Sequence, residues 1–314
     1  MIDPFKRNID YLRVSVTERC NLRCFYCMPE EGIKKKEHND ILRDEDIVNA
    51  VKAAVNLGLK KIRLTGGEPL VRRGIYELIK KISNIDGVEE IDLTTNGLLL
   101  KNQIKRLKAA GIKRVNLSLD SLKPDVYKAI THSNVSLDYH AIIKELIAHD
   151  MLPIKINAVL LNGINDNEVG DFIELANTYD IHVRFIELMP IGHLNFNYNT
   201  HFISKAAILE RHPALQFEQK HKIAEYYTVP GKNGKIGFIN PMSNHFCNQC
   251  NRLRLTADGH LKPCLHTNEE ISIKHLDFNE MVKTFEKAIH KKPEKHRLND
   301  KQRPIHRSMH KIGG

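Results

Sequence analysis

The chain lacks any apolar run approaching the ~18 residues that a membrane-spanning helix requires. Its opening Met1-Ile2-Asp3-Pro4-Phe5-Lys6 also lacks the apolar stretch of a secretory signal. Internal repeats are missing, and no low-complexity run occurs beyond a His- and Lys-rich C-terminal stretch. These absences argue against a helical membrane protein and a repeat array, and lead us to expect a cytoplasmic protein whose thiols stay reduced. Cysteine is scarce too: 314 residues hold six, all in two tight groups. In a reducing compartment such groups read as metal ligands rather than as three disulfides. Positive charge, by contrast, is plentiful, with 48 Lys+Arg against 38 Asp+Glu and a formal net charge of +10. That excess favours an anionic partner, and nucleic acid, anionic lipid or a polyphosphate ligand would each satisfy it.

A chain of this length can bury a full core, as one large domain with an appendage or as two domains. Strand-like segments at 11–16, 61–65, 90–95, 114–119, 153–160 and 182–188 alternate with helix-like ones at 44–57, 75–83, 103–110, 139–149 and 168–178. About six βα units of this kind predict a parallel sheet. Within the strands one parity is apolar, as in Leu12, Val14 and Val16 or Val115, Leu117 and Leu119. The other is polar: Arg13 and Ser15, Arg63 and Thr65, Asp92 and Thr94, Asn116 and Ser118, Lys155 and Asn157, and Arg184. A half-exposed open sheet would alternate in the same way. Right-handed winding, however, carries such units toward a barrel whose apolar face must meet the helices. The inner face is then polar, and buried cations are costly without partners, so a wide, incomplete barrel with a ligand cavity is expected.

The predicted fold is therefore α/β: an incomplete (β/α)6 barrel of the TIM type over 1–215, followed by a β-rich region over 216–314. The stretch 195–200 reads as loop. Hairpins are expected at 223–229 with 235–239 and at 252–256 with 261–264, and a helix at 278–290.

Chemistry concentrates first in Arg19-Cys20-Asn21-Leu22-Arg23-Cys24-Phe25-Tyr26-Cys27-Met28-Pro29. Thiolates are soft ligands for zinc or iron–sulfur clusters, and three of them leave one iron of a four-iron cluster open. Zinc sites more often use C-x2-C pairs with distant partners. The C-x3-C-x2-C spacing, with an aromatic before the last cysteine, resembles the radical S-adenosylmethionine (SAM) superfamily, whose open iron binds the amino and carboxylate groups of SAM. One βα unit later, Thr65-Gly66-Gly67-Glu68-Pro69 resembles that superfamily's site for the SAM amino group. Alone it would read as a strand-to-helix turn.

The second group is Cys247-Asn248-Gln249-Cys250 with Cys264. On spacing alone zinc competes evenly with a cluster, taking His245, His260 or His266 as fourth ligand. The intervening Asn251-Arg252-Leu253-Arg254-Leu255-Thr256-Ala257-Asp258-Gly259-His260-Leu261-Lys262-Pro263-Cys264 is similar to the radical SAM family of molybdenum cofactor biosynthesis. So are Asp3-Pro4-Phe5, Leu93-Thr94-Thr95-Asn96-Gly97, Asn116-Leu117-Ser118-Leu119-Asp120 and Ser308-Met309-His310-Lys311-Ile312-Gly313-Gly314. The resemblance implies two [4Fe-4S] clusters, on Cys20, Cys24 and Cys27 and on Cys247, Cys250 and Cys264. It implies SAM contacts from Tyr26, Gly67, Ser118 and Met189, and GTP contacts from Arg13, Arg63, Thr94, Lys155, Arg252, Leu253 and Arg254. It also implies a Gly-Gly tail that threads into the active site, with no conventional acid or base. The partners it implies are GTP, an electron donor protein and a downstream cyclic pyranopterin monophosphate synthase, with neither nucleic acid nor membrane; it allows a homodimer. Glu18 stands where the family more usually has Asp, and His266 where an aromatic often follows the third cysteine. Two other readings compete: a twin-cluster peptide-modifying maturase, which would carry more C-terminal cysteines, and a basic zinc-bearing nucleic-acid binder.

Overall fold

A computed structural model describes residues 1–33, 40–191, 196–221, 223–298 and 305–313. Six parallel strands, β1 (Tyr11–Ser15), β2 (Lys61–Thr65), β3 (Glu90–Thr95), β4 (Arg114–Ser118), β5 (Lys155–Leu160) and β6 (His182–Glu187), lie side by side in chain order. Both flanks are taken by later strands: β7 (Gln216–His221), β8 (Ala224–Thr228), β9 (Lys235–Ile239), β10 (Arg252–Leu255), β11 (His260–Lys262) and β12 (Ile271–Ser272). The full order is β12-β11-β10-β1-β2-β3-β4-β5-β6-β9-β8-β7. β10 runs parallel to β1, with Arg254 opposite Arg13, and β9 runs parallel to β6. β6 and β1 do not pair, so the barrel is incomplete, as expected.

The strand parity accounts for the two faces. Leu12, Leu64, Leu93, Leu117, Ile156 and Val183 are fully buried in one apolar core. The helices α1 (Asp44–Asn56), α2 (Ile75–Ser83) and α3 (Ile104–Ala110) turn Ile47, Val51, Leu78, Ile82 and Leu107 toward that core. At roughly 25 cal/mol per Å2 of apolar area, this continuous seam is the main stabilising term of the fold. Next come α4 (Pro124–Thr131), α5 (Tyr139–Ala148), α6 (Val169–Tyr179), α7 (Tyr198–His201) and α8 (Lys205–Arg211). They are followed by α9 (Phe278–His290) and α10 (Met309–Ile312).

Three of the elements that the sequence reading did not anticipate are instructive. α4 was not anticipated, although Pro124 sits where helices tolerate proline, at the first turn. The stretch read as loop from 195 holds α7, and residue 195 itself lies outside the described residues. β7 escaped because all its residues are exposed, so it carries no alternating pattern.

Candidate active site between two cysteine triads

The first triad occupies the loop leaving the C-terminal end of β1, and that loop is held from three directions. The carbonyls of Thr131 and Ile130, at the end of α4, accept the N–H groups of Arg23 and Phe25 at 2.9 and 3.1 Å. These are last-turn carbonyls with no partner inside their own helix, so α4 and the loop satisfy each other. From β2, Gly67 N–H donates to Thr17 O and Glu68 N–H to Arg19 O, both at 2.8 Å. A Cβ on Gly67 would sit 2.4 Å from Arg19 O. The sequence reading assigned this glycine to close approach of a ligand; the structure adds that it lets β2 clasp the cysteine loop itself. Finally, Cys27 and Met28 N–H both return to Cys24 O, at 2.9 and 3.0 Å, a helical turn that brings Cys24 and Cys27 together.

The second triad is built differently. β9 and β10 are consecutive in sequence yet lie on opposite flanks of the parallel sheet, so their connection crosses from one flank to the other. Cys247 and Cys250 ride on that crossing, in a short turn closed by Cys250 N–H to Cys247 O at 3.1 Å. Arg252, just after them, is level with Tyr11 at the start of β1. β11 runs back antiparallel, with Lys262 opposite Arg254, which carries Cys264 to the same level. One triad therefore stands at each end of β1, with roughly 13 Å of strand between their levels. All six cysteines are unbridged.

A cavity of about 330 Å3 reaches both triads. The expected residues Arg13, Tyr26, Arg63, Gly67, Thr94, Ser118, Met189, Arg252 and Arg254 line it. Lys155 and Leu253 do not. Lys155 lies at the first residue of β5, and burial together with Arg184 lowers its pKa to about 8. Leu253 pairs with Leu12 on the apolar parity and is fully buried in the core.

Cations dominate one side of the cavity. Burial and the neighbouring Arg254 hold Arg13 well below the usual guanidinium range. Arg254 falls to about 10 through burial and Arg252, and Arg184 to about 10 through burial, Arg63 and Arg252. Arg63 has a counter-charge, Asp92 at 2.5 Å. Among the described residues Arg184, Arg252 and Arg254 form no salt bridge with a carboxylate; Arg184 donates instead to Asn157 Oδ1 at 2.9 Å. Thr94 Oγ1 and the Nε atoms of Arg63 and Arg252 are buried and find no hydrogen-bond partner among the described residues. Buried polar atoms are rarely left so, which makes this wall fit an anionic, hydrogen-bonding ligand.

The tail runs beside the cavity, which Met309 and His310 line. Gly313 O accepts from Thr65 Oγ1 at 3.2 Å and from an Arg254 guanidinium N–H at 3.0 Å. Its φ is +86°, and a Cβ there would sit 2.7 Å from Thr65 Oγ1, so only glycine fits. His310 Nδ1 lies 3.1 Å from Cys27 O. Gly314, the other half of the expected pair, lies outside the described residues.

A profile of the radical SAM superfamily matches residues 14–176, and one described as Molybdenum Cofactor Synthesis C matches 181–298. The chain is 49% identical to the GTP 3′,8-cyclase of Alkaliphilus oremlandii over 320 residues, covering all of both chains. It is 46% identical to that of Clostridium botulinum and 43% to that of Heliobacterium modesticaldum, again over the full length of each. The chain belongs to the GTP 3′,8-cyclase family. Among solved structures, Streptococcus suis SuiB bound to S-adenosylmethionine shares the fold at 15% identity and a TM-score of 0.61, covering 89% of this chain and 65% of that one. Native anSMEcpe with bound AdoMet does so at 16% and 0.57, covering 93% and 82%. As a member of this family the protein is an enzyme that uses SAM and iron–sulfur chemistry. Among the described residues no helix is long and apolar enough to cross a membrane.

The donor sets fit the family's cluster chemistry, each bringing three thiols together, the first from one loop and the second from a tight turn plus Cys264 after β11, with one position left for another ligand. Around the first set, Tyr26 O–H donates to Asp120 Oδ2 at 2.5 Å. Asp120 Oδ1 accepts Val159 N–H at 2.8 Å, and burial raises this carboxyl to about 6. Glu68 accepts from Thr95 Oγ1 at 2.7 Å and Asn96 N–H at 2.8 Å, while burial pushes it up to about 7. Asp120, Asn157 and Arg184 were visible in the sequence as motif or polar-parity residues, but without a role. Lys292 gave no signal. It leaves α9 to donate to Arg252 O at 2.8 Å and Pro263 O at 2.9 Å, and so ties together the two segments that bear the second triad.

Proposed function

We propose that the protein is a GTP 3′,8-cyclase of the lyase class. It converts GTP to (8S)-3′,8-cyclo-7,8-dihydroguanosine 5′-triphosphate, the first step of molybdopterin synthesis. The observation that carries this reading is the single cavity joining two cysteine triads along a wall of arginines. In it Cys20, Cys24 and Cys27 hold one [4Fe-4S] cluster, and Cys247, Cys250 and Cys264 a second. Bound and reduced, the first cluster would supply the electron for reductive cleavage of SAM, the chemistry through which a hydrogen at C3′ of GTP would be removed.

The chain's own residues supply placement and electrostatics. Tyr26, Gly67, Ser118 and Met189 position SAM beside the first triad. Arg13, Arg63, Arg252 and Arg254 neutralise the triphosphate, and their mutual repulsion eases once that anion is bound. Thr94 Oγ1 offers the buried hydroxyl that the ligand pairs. Lys155, at the edge of the arginine group, adds charge from behind the wall, and Leu253 contributes through backbone alone. Gly313, under Arg254, helps to exclude water and oxygen. The enzyme works in the cytoplasm, draws electrons from a donor protein and passes its product to cyclic pyranopterin monophosphate synthase.

The test is an anaerobic reaction of reconstituted protein with SAM, a strong reductant and GTP, read by mass spectrometry. We expect 5′-deoxyadenosine together with an isomer of GTP at unchanged mass. 5′-Deoxyadenosine with GTP intact would overturn the substrate. Neither product, from protein shown to hold iron and sulfide at both triads, would overturn the reaction class.

A further inference from the structure

Two buried cations brace the second triad, and they are neutralised differently. Arg7 is 6% exposed and has a carboxylate: its Nε donates to Asp3 Oδ2 at 2.6 Å. Its other nitrogens donate to Cys247 O at 2.9 Å, Glu294 O at 3.1 Å and Pro293 O at 2.8 Å. Lys292 is 2% exposed and, among the described residues, pairs with no Asp or Glu; the carbonyls of Arg252 and Pro263 accept from it instead. We propose that Lys292 sets the reduction potential of the centre held by the second triad, its uncompensated charge making that centre easier to reduce, whereas Arg7, cancelled by Asp3, only holds the frame. This rests on the reading that the triad carries an iron–sulfur cluster.

Placement carries the assignment. The carbonyls that the two cations hold belong to Cys247 itself, to Arg252 just after Cys250, and to Pro263 just before Cys264, so the pair grips the chain next to every thiol. Lys292 lines the cavity together with Cys247, Cys250 and Cys264. Burial acts to raise all three thiols, and in each case Lys292 is the strongest cationic influence against it. Arg7 adds to it at Cys247 and Arg252 at Cys250, so Lys292 is the cation that the three thiols share.

A carbonyl satisfies the hydrogen bonds of an ammonium without cancelling its charge, and a buried charge that lacks a counter-ion is costly. A cluster on three thiolates supplies the missing anion. Reduction adds one more negative charge at the same place, and in a low-dielectric interior that charge and the ammonium attract strongly. Net charge near a cluster is one of the levers by which a protein sets its potential, and Lys292 is placed to work through it. The sign follows: a fixed cation favours the reduced form and raises the potential, while Arg7 with Asp3 adds no net charge.

The experiment uses the full chain, reconstituted anaerobically, with Cys20→Ala, Cys24→Ala and Cys27→Ala so that only the second triad reports. Iron and sulfide are measured first: their absence would overturn the cluster reading and this proposal with it. A redox titration followed by electron paramagnetic resonance, which sees only protein that holds a cluster, then gives the potential. Lys292→Met keeps the length and removes the charge; it should shift the one-electron equilibrium toward the oxidised form on the order of tenfold, about 59 mV. Lys292→Arg keeps the charge and should stay within about threefold of the parent. Asp3→Asn with Arg7→Met breaks carbonyl bonds of the same kind at no change in net charge, and should also stay within about threefold. Lys292→Gln gives the same comparison should the Met variant fail to assemble. A shift below about threefold on removing the Lys292 charge, or an equal shift in Lys292→Arg or in the Asp3 and Arg7 pair, would overturn the proposal and leave the cluster reading intact. GTP is omitted throughout, so no outcome depends on its being the substrate.

Discussion

The two cysteine triads face one cavity but live in opposite electrostatic settings. At the first, burial raises all three thiols, and carboxylates add to it: Asp120 at Cys24 and Cys27, Glu68 at Cys20. Cys27 is pushed up to about 12. At the second, burial still raises Cys247 and Cys264 although Lys292 opposes it, and Cys250 alone is brought down, to about 7, by Lys292 and Arg252. The difference teaches how one chain can give two like metal sites unlike tasks. A cationic frame favours the anionic form of whatever it holds and of any anion beside it, whereas a carboxylate-lined one suits a cationic partner such as the sulfonium and ammonium of SAM.

The largest expected effect is a division of labour. Cys24→Ser should abolish 5′-deoxyadenosine formation, while Cys264→Ser should leave SAM cleavage measurable and abolish the cyclised product. Chromatography of both products from each variant checks this, and loss of both products in both variants would erase the distinction. The next separates the thiols directly. In cluster-free protein at pH 8, Cys250 should alkylate on the order of 100-fold faster than Cys27, its larger thiolate fraction being partly offset by the lower nucleophilicity of a low-pKa thiolate. Peptide mass spectrometry reads the ratio, and equal rates would break the contrast.

A smaller effect tests how each triad is anchored. Arg307 reaches Asp258 at 2.9 and 3.0 Å and Glu270 at 2.5 Å, and Glu270 also pairs with Lys262 at 2.9 Å. Arg307→Met should cost about 3 kcal/mol and lower iron at the second triad before the first. Against burial, His260, Thr256 and Arg307 hold the Asp258 carboxyl well below its usual range; Lys262 and Arg307 lower Glu270. Depressed carboxyls stabilise above their unfolded pKa values near 4 and lose that contribution as pH falls through the folded values. The gap between parent and variant in chemical denaturation should therefore be full at pH 7 and shrink as pH drops below about 4. The smallest is Gly67→Ala, whose added methyl group meets Arg19 O. It should destabilise by about 1–3 kcal/mol and reduce iron loading at the first triad alone.

Local spacing made the first triad legible, because a metal-binding loop on one short segment is written in one short segment. The polar parity likewise exposed Arg13, Arg63, Thr94 and Ser118, since strand alternation is a local property. What escaped depends on distant pairing. Nothing near Cys247 says that β9 joins β6 while β10 joins β1, and that pairing alone puts the second triad at the far end of β1. Leu253 keeps its side chain out of the cavity for the complementary reason. It was taken with its arginine neighbours as a contiguous motif, although in a strand the middle residue of three faces the other way. α4 was passed over as a short helix, yet its last carbonyls fix the very loop that the cysteines announced.

The pairing of β1 with β10 also sets a timetable. During synthesis the first triad emerges within the opening tenth of the chain, and its clasp is complete once β2 and α4 have followed. β1 keeps one edge open until Arg252 arrives, some 240 residues after Tyr11. Strand pairing across such a separation is slow to form. The nascent protein thus passes through a stage in which the loop of the first triad is complete while the second triad has not yet reached β1, so the two are finished in the order in which the chain is made.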